Sequence, residues 1–174
     1  YFSHVASEME PADLQRWLFL FGYGHPLPLA GSLPDTSNPL RRKLRQVPGQ
    51  IGSTYVPANA KIESLKDLPP LQKRDRPNFG IGQGNLWATP LQVANSFATL
   101  ARRGRSKPPR LFLNPKSLAE EDARRPVDLQ ISDLTLQTVY DGMDAVVSEP
   151  GGSAHRAFSP NRLAQQGVKI FGKT

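Results

Sequence analysis

Cysteine is absent from the chain, which removes thiolate nucleophiles, cysteine-bearing zinc sites and disulfides together. The absence leaves the compartment open. Long apolar runs are missing as well. The longest, Trp17 to Phe21, falls far short of the roughly 18 residues that a membrane-spanning helix needs, and no basic segment followed by an apolar one opens the chain. As read, the sequence is expected neither to span a membrane nor to carry its own export signal. Histidines number only three. His4, His25 and His155 are far apart, without H-x-x-x-H spacing or a carboxylate at a ligand offset, so neither a metal nor any other cofactor is expected. No G-x-S-x-G elbow is present, although spacing alone leaves a Ser-His-Asp arrangement open.

What remains fits one soluble domain: 174 residues, 38% hydrophobic and 21% charged. Fourteen glycines and seventeen prolines lie below the bias of low-complexity chain. Lysine and arginine total 22 against 15 acidic residues, a net charge of +7. The first residue is Tyr1 rather than methionine and the last, Thr174, stops inside a motif, so the chain reads as a fragment truncated at both ends.

Apolar residues at Phe2, Val5, Ala6 and Met9, then at Leu14, Trp17, Leu18 and Phe21, have helical spacing and predict two helices separated at Glu10-Pro11. Gly22 and Gly24 close the second. From there to about Ala88 lie nine of the seventeen prolines with no sustained periodicity, which predicts mostly irregular chain. A loop of that length signals a functional surface, an insertion or a mistaken assignment.

Thr89-Pro90-Leu91-Gln92 then combines a hydroxyl cap, a proline in the first turn and a glutamine at the third position, a capping box. It predicts a helix from Thr89 to about Arg103 with an apolar face through Leu91, Ala94, Phe97, Ala98 and Ala101, stopped by Gly104. Arg110 to Asn114 reads as a short strand and Glu120-Glu121-Asp122 as solvated loop. Ser132 caps a third long helix with Leu136, Val139, Tyr140, Met143 and Val147 on one stripe, ended by Glu149-Pro150-Gly151-Gly152. Gly142 inside it costs about 1 kcal/mol relative to alanine, which points to close packing on that face. Val168 to Thr174 reads as a strand cut off at its end.

Gly80-Ile81-Gly82-Gln83-Gly84 lacks the context of a nucleotide site. No strand precedes it, the helix opens only at Thr89, and no G-K-[ST] directly follows, so the glycines read as a tight turn that feeds the helix. The basic clusters Arg41-Arg42-Lys43 with Arg45, and Arg102-Arg103 with Arg105, Lys107 and Arg110, lack the interleaved aromatics of a nucleic-acid reader. They read as solvated basic surface, and no nucleic-acid partner is expected.

Taken together, the motifs resemble those of class B penicillin-binding proteins. Asn78 to Asn95, running on through Phe97-Ala98-Thr99-Leu100-Ala101 to Gly104, is similar to the family's I-G-Q-G…T-P-L-Q-x-A-N-x-[YF]-A-T-L-A-x-x-G stretch. Gly142-Met143-Asp144-Ala145-Val146-Val147 with Gly151-Gly152-Ser153-Ala154 resembles G-M-x-x-V-V…G-G-T-A, and Val168 to Thr174 resembles V-x-[IV]-x-G-K-T-G-T, cut after Lys-Thr. Tyr1 to Gly24 is similar to the helix pair that follows the family's S-x-N motif. The resemblance is weak between His25 and Pro77. The glutamine-containing G-Q-G form leans toward the elongation-type transpeptidases.

The resemblance implies a piece of an α+β penicillin-binding transpeptidase (β-lactamase-like) domain, single over 1–174 and truncated, mostly helices and irregular loop with the opening of one sheet strand. It implies serine-type acyl transfer from D-Ala-D-Ala stem peptides in peptidoglycan cross-linking, with β-lactams trapping the same serine. Peptidoglycan stem peptides, β-lactams and the cell-wall elongation machinery are the implied partners. The implied location is the extracytoplasmic (periplasmic) face of the bacterial membrane, with the anchor outside this chain. No serine here has lysine three residues later, so the nucleophile motif is absent and the chain by itself is expected to be inactive. Ser159-Pro160-Asn161 matches S-x-N by letter only, after the G-G-S-A turn where the family has no such motif. Lys173, as a catalytic and substrate-binding cation, and Thr174, as a substrate-binding hydroxyl, alone align with an active-site motif. A non-catalytic β-lactam-sensing or scaffolding domain of the same fold is the alternative.

Overall fold

The computed structural model describes residues 1–27, 46–109, 126–158 and 166–173. The chain divides into two compact units, Tyr1–Leu129 and Gln130–Thr174.

In the first unit, α1 (Phe2–Glu8) and α2 (Pro11–Leu20) are the expected helix pair. Glu10 has extended backbone and Pro11 occupies the first helical turn, where its missing N–H costs nothing. Of the apolar set on α1 only Ala6 is buried, and the buried residue of α2 is Gln15. Gly22 and Gly24 follow at φ +95° and +79°, and a Cβ on Gly24 would stand 2.6 Å from Ile51 Cγ1. Glycine is needed there both for the left-handed backbone and for the approach to the core.

The mostly irregular chain that follows is the centre of this unit. Ile51, Val56, Leu68, Leu71 and Phe79 form the buried cluster, with Leu14, Leu18 and Phe19 of α2 and Leu86 packed against it. Burying such side chains contributes about 1.5–3 kcal/mol each. Buried irregular backbone needs partners that a helix or sheet would have supplied, and side chains provide them. Gln15 Nε2 donates to the Pro69 carbonyl at 2.7 Å and Gln15 Oε1 accepts from the Leu71 N–H at 3.3 Å, while the Gln72 N–H donates to Ser53 Oγ at 2.7 Å. Short 3-10 turns at Leu65–Asp67 and Lys73–Asp75 and a four-residue helix, α3 (Arg76–Phe79), interrupt the segment. The Arg76 guanidinium donates to the Met9 carbonyl, tying α3 back to the turn between α1 and α2.

The glycine-rich segment is a turn, as its sequence predicts: Gly82 and Gly84 both sit at φ +73°, and the Gln83 N–H donates to the Asn78 carbonyl at 2.8 Å. It leads into α4 (Pro90–Ala101), whose capping box is formed as expected. Gly104 closes α4 by donating to the Thr99 carbonyl at 2.9 Å. The buried face of α4 corrects the expectation. Gln92, Asn95, Ser96 and Thr99 are buried, whereas Ala94, Phe97 and Ala101 of the apolar stripe are exposed. Gln92, Ser96 and Thr99 have hydrogen-bond partners that make their burial tolerable. Thr99 Oγ1 donates to the Asn95 carbonyl at 2.9 Å, Ser96 Oγ to the Val93 carbonyl at 2.8 Å, and Ser96 Oγ meets Tyr23 Oη at 2.6 Å. A two-stranded antiparallel sheet follows, β1 (Arg105–Ser106) with β2 (Val127–Asp128), pairing Arg105 with Asp128 and Ser106 with Val127.

In the second unit, α5 (Asp133–Ser148) starts where expected, with Ser132 Oγ accepting from the Thr135 N–H at 3.1 Å. Leu136 is its buried anchor, and Val139, Tyr140, Met143 and Val147 are half-buried. Close packing at Gly142 is not found, since a Cβ built there meets nothing within 4 Å. A short helix not anticipated from sequence, α6 (His155–Phe158), follows the Gly151-Gly152-Ser153-Ala154 turn. The strand expected from Val168 is also corrected. Residues 168–173 form none, because a strand is defined by ladder bonds to a neighbour and the Gly172 N–H is instead given to the Met143 carbonyl of α5, at 2.9 Å. The expected strand Arg110 to Asn114, the loop Glu120-Glu121-Asp122, and Arg41-Arg42-Lys43 with Arg45 lie outside the described residues.

Candidate functional site

Two clusters gather the residues that the motifs single out, one in each unit. The first is built around Gln92 at the start of α4. Its Oε1 accepts from the Thr89 N–H at 2.8 Å, and its Nε2 donates to the His25 carbonyl at 2.9 Å and to the Pro48 carbonyl at 2.8 Å. One side chain, 2% exposed, therefore closes its own helix and fastens two loops to it. Beside it Gln50 and Trp87 exchange backbone hydrogen bonds, Gln50 N–H to Trp87 carbonyl at 2.8 Å and Trp87 N–H to Gln50 carbonyl at 3.0 Å. The longest motif of the sequence is thus a structural joint. At the Arg102-Arg103 end of α4, Arg103 is exposed, whereas Arg102 is half-buried, its Nε donating to the Arg105 carbonyl at 2.9 Å and its Nη2 buried.

The second cluster surrounds the C-terminal half of α5. The Gly152 turn folds back so tightly that a Cβ on Gly152 would collide with the Val146 and Ala145 carbonyls. The Ala154 N–H then donates to the Val146 carbonyl at 3.0 Å, and His155 Nδ1 lies 3.2 Å from the Val147 carbonyl. The tail runs along the same helix. A Cβ on Gly172 would stand 2.8 Å from Val146 Cγ1 and 3.0 Å from Val147 Cγ2, so the missing side chain permits the contact. Lys169 Nζ pairs with Asp144 Oδ2 at 2.9 Å and stands 5.3 Å from the Phe171 ring, which tilts against Tyr140 at 5.9 Å. The pair is exposed enough that its contribution to stability is small; its effect is on where the tail lies.

The G-M-x-x-V-V and G-G-S-A passages and Gly172, up to 30 residues apart in sequence, therefore meet on one helix. Lys173 follows directly from the anchored Gly172 and is exposed. Thr174 and Ser159-Pro160-Asn161 lie outside the described residues. Periodicity did not reveal that Gln15, Gln50 and Gln92 would be buried; the capping box identified Gln92 only as a cap. Among the described residues no group of three histidine or acidic side chains is placed to hold a metal ion, and no helix is long and apolar enough to cross a membrane. One carboxylate departs clearly from its ordinary titration: the Glu63 and Ser64 N–H groups, with the Ser64 hydroxyl, hold Asp67 below the usual carboxylate range.

Comparison with known proteins gives the frame for both clusters. The sequence pattern described as penicillin binding protein transpeptidase domain matches residues 1–174. Peptidoglycan D,D-transpeptidase MrdA of Escherichia coli K12 is 26% identical over 183 residues, covering 99% of this chain, and MrdA of the O157:H7 strain matches equally. The chain spans 26% of the length of these curated relatives. The crystal structure of Pseudomonas aeruginosa PBP2 in complex with WCK 5153 superposes with a TM-score of 0.58 over 91% of this chain and 32% of that one, at 21% identity. That likeness establishes the fold, an α+β piece.

Proposed function

Because the chain belongs to the penicillin-binding-protein transpeptidase family, we propose that it is part of a serine-type peptidoglycan D,D-transpeptidase of the elongation type, working at the extracytoplasmic face of the bacterial membrane. The observation that supports this most is the family match over all 174 residues, within which G-M-x-x-V-V, G-G-S-A and G-K-T keep their order, and the first two meet Gly172 on α5. Both units belong to one transpeptidase domain in this reading. The nucleophile is a serine outside these residues, since none here precedes a lysine by three positions. It attacks the D-Ala-D-Ala carbonyl of a stem peptide, releases the terminal D-Ala, and passes the acyl group to an amine of a neighbouring stem. β-Lactams acylate the same serine.

Lys173 and Thr174 act on the substrate. In this reading the Lys173 cation, directly after Gly172, supplies positive charge to the substrate carboxylate and the developing oxyanion, and such charge lowers the barrier when it is already oriented. Thr174 adds a hydroxyl donor, and the cell-wall elongation machinery is the partner assembly.

The test is acylation of the intact protein by a fluorescent penicillin. The intact protein is expected to label, Lys173→Ala to label about 100-fold more slowly by the scale of removing one oriented electrostatic group, and the chain 1–174 alone not to label. Stoichiometric labelling of a serine in the isolated chain overturns the placement of the nucleophile. Unchanged acylation in Lys173→Ala makes Lys173 an ordinary surface lysine. Acylation without any turnover of stem peptide selects a β-lactam-sensing or scaffolding domain instead.

A further inference from the structure

Tyr55 and Trp87 stand together on the surface of the first unit; the Trp87 backbone belongs to the Gln92 cluster, but neither ring has a part in its hydrogen bonds. Both rings are more than half exposed, at 61% and 57%, with centroids 6.2 Å apart and planes at 71°. They form an L-shaped aromatic corner. Single exposed aromatics are common and need no explanation, but this pair is mounted on a pinned backbone. Trp87 is held by the reciprocal bonds to Gln50 and is followed after one residue by the Thr89 cap. Gly49 packs so closely against the Trp87 carbonyl that a Cβ would collide with it. A rigid loop that displays its largest side chain to solvent is arranged for contact rather than for folding.

The polar parts of the corner are also unspent. Among the described residues neither the Tyr55 hydroxyl nor the Trp87 indole N–H has a hydrogen-bond partner. Directly across the bridge, where cross-strand side chains share a face, Gln50 is 5% exposed and its Oε1 has no partner. A buried carbonyl left without a donor is costly. The exposed corner thus joins two apolar ring faces to two donors, neither side chain being charged, while the Gln50 acceptor lies beneath the surface, out of a ligand's reach.

We infer that the Tyr55–Trp87 corner binds a pyranose ring of a glycan strand, the sugar's C–H face lying on the indole and its hydroxyl rim meeting the Tyr55 hydroxyl and the indole N–H. A pyranose has the same division, one apolar face and a rim of hydroxyls. Aromatic faces with a polar handle serve ligands that are apolar on one side and wet on the other. That the strand is peptidoglycan rests on the proposed function; that the ligand is a sugar rests on the corner alone. Holding the glycan there would position a stem peptide's parent strand without taking part in acyl transfer.

Isothermal titration of the intact protein with chitohexaose, a soluble β-linked N-acetylglucosamine chain, tests the inference. Binding is expected, with Trp87→Ala weakening it about tenfold, the equivalent of about 1.4 kcal/mol of stacking, and Trp87→Phe restoring most of it. The Gln50–Trp87 bonds are main-chain and survive these changes, and Tyr55→Ala, at an exposed position, is the second variant, expected to weaken binding several-fold. No binding by the unaltered protein, equal binding by Trp87→Ala and Tyr55→Ala, or preference for a short apolar peptide over the sugar each overturns the proposal. A protein that takes penicillin but not chitohexaose refutes this inference alone. One that binds chitohexaose through Trp87 but never takes penicillin upholds it and refutes the transpeptidase reading.

Discussion

Thr89 and Gln92 cap one another: the Gln92 N–H donates to Thr89 Oγ1 at 3.1 Å, and Gln92 Oε1 accepts from the Thr89 N–H at 2.8 Å. Two of the donors orphaned at the start of α4 are satisfied by side chains only three residues apart. Thr89→Ala is therefore expected to lower the stability of the intact protein by about 1 kcal/mol, read as a shift of the urea midpoint. A shift near zero would show that water replaces the cap at no cost.

Gln92 has a larger expected effect than its cap. Replacing it with alanine leaves the His25 and Pro48 carbonyls, which its Nε2 now serves, without their donor, in addition to opening a void in a buried site. The expected loss is about 3 kcal/mol by the scale of buried unsatisfied groups, measured by calorimetric unfolding. If Gln92→Ala cost no more than Thr89→Ala, the contacts to the two loops would be dispensable.

The glycines of the second unit separate by sign. Gly142 has open space at its missing Cβ and helical neighbours on both sides, so Gly142→Ala is expected to raise stability by about 0.5–1 kcal/mol. Gly152→Ala would drive a methyl into the Val146 and Ala145 carbonyls and is expected to cost about 2 kcal/mol. Paired urea titrations of the two variants decide the matter, and effects of the same sign would contradict the geometry.

Asp67 predicts an acid-side dependence. Hydrogen bonds from the Glu63 and Ser64 N–H groups favour its charged form and hold its folded pKa below the ordinary value. A lowered carboxylate stabilises the fold fully above its unfolded pKa, about 3.9, and that contribution is lost as pH falls through the folded value. The stability difference between the protein and Asp67→Asn is thus expected to be constant from pH 5 to 8 and to shrink below about pH 4. Urea midpoints across that range check it, and a gap that widened in acid would reverse the sign.

Local chemistry was legible wherever a few adjacent residues settle it. The Glu10-Pro11 break, the Thr89 capping box, the Ser132 cap and the turn at Gly82 and Gly84 all require only neighbours in the chain, and all are formed. Of the candidate site, the order of the motifs and Lys173 were readable because they are patterns of residue type. The convergence of those motifs on α5 was not, since nothing in Gly172 itself says which carbonyl its N–H will meet.

The amino-acid sequence by itself determined where the four longest helices, α1, α2, α4 and α5, begin and end and which family the chain resembles, because caps, breakers and motif spacing act within a few residues. Only the tertiary structure decided that α4 turns Gln92, Asn95, Ser96 and Thr99 inward, that Ile51, Val56, Leu68 and Leu71 of the irregular segment form a core, and that the tail lies along a helix without strand pairing. Burial depends on which partners long-range packing supplies. A glutamine is surface in a periodicity count and core once two distant carbonyls are brought within 3 Å of its amide, as His25 and Pro48 are brought to Gln92.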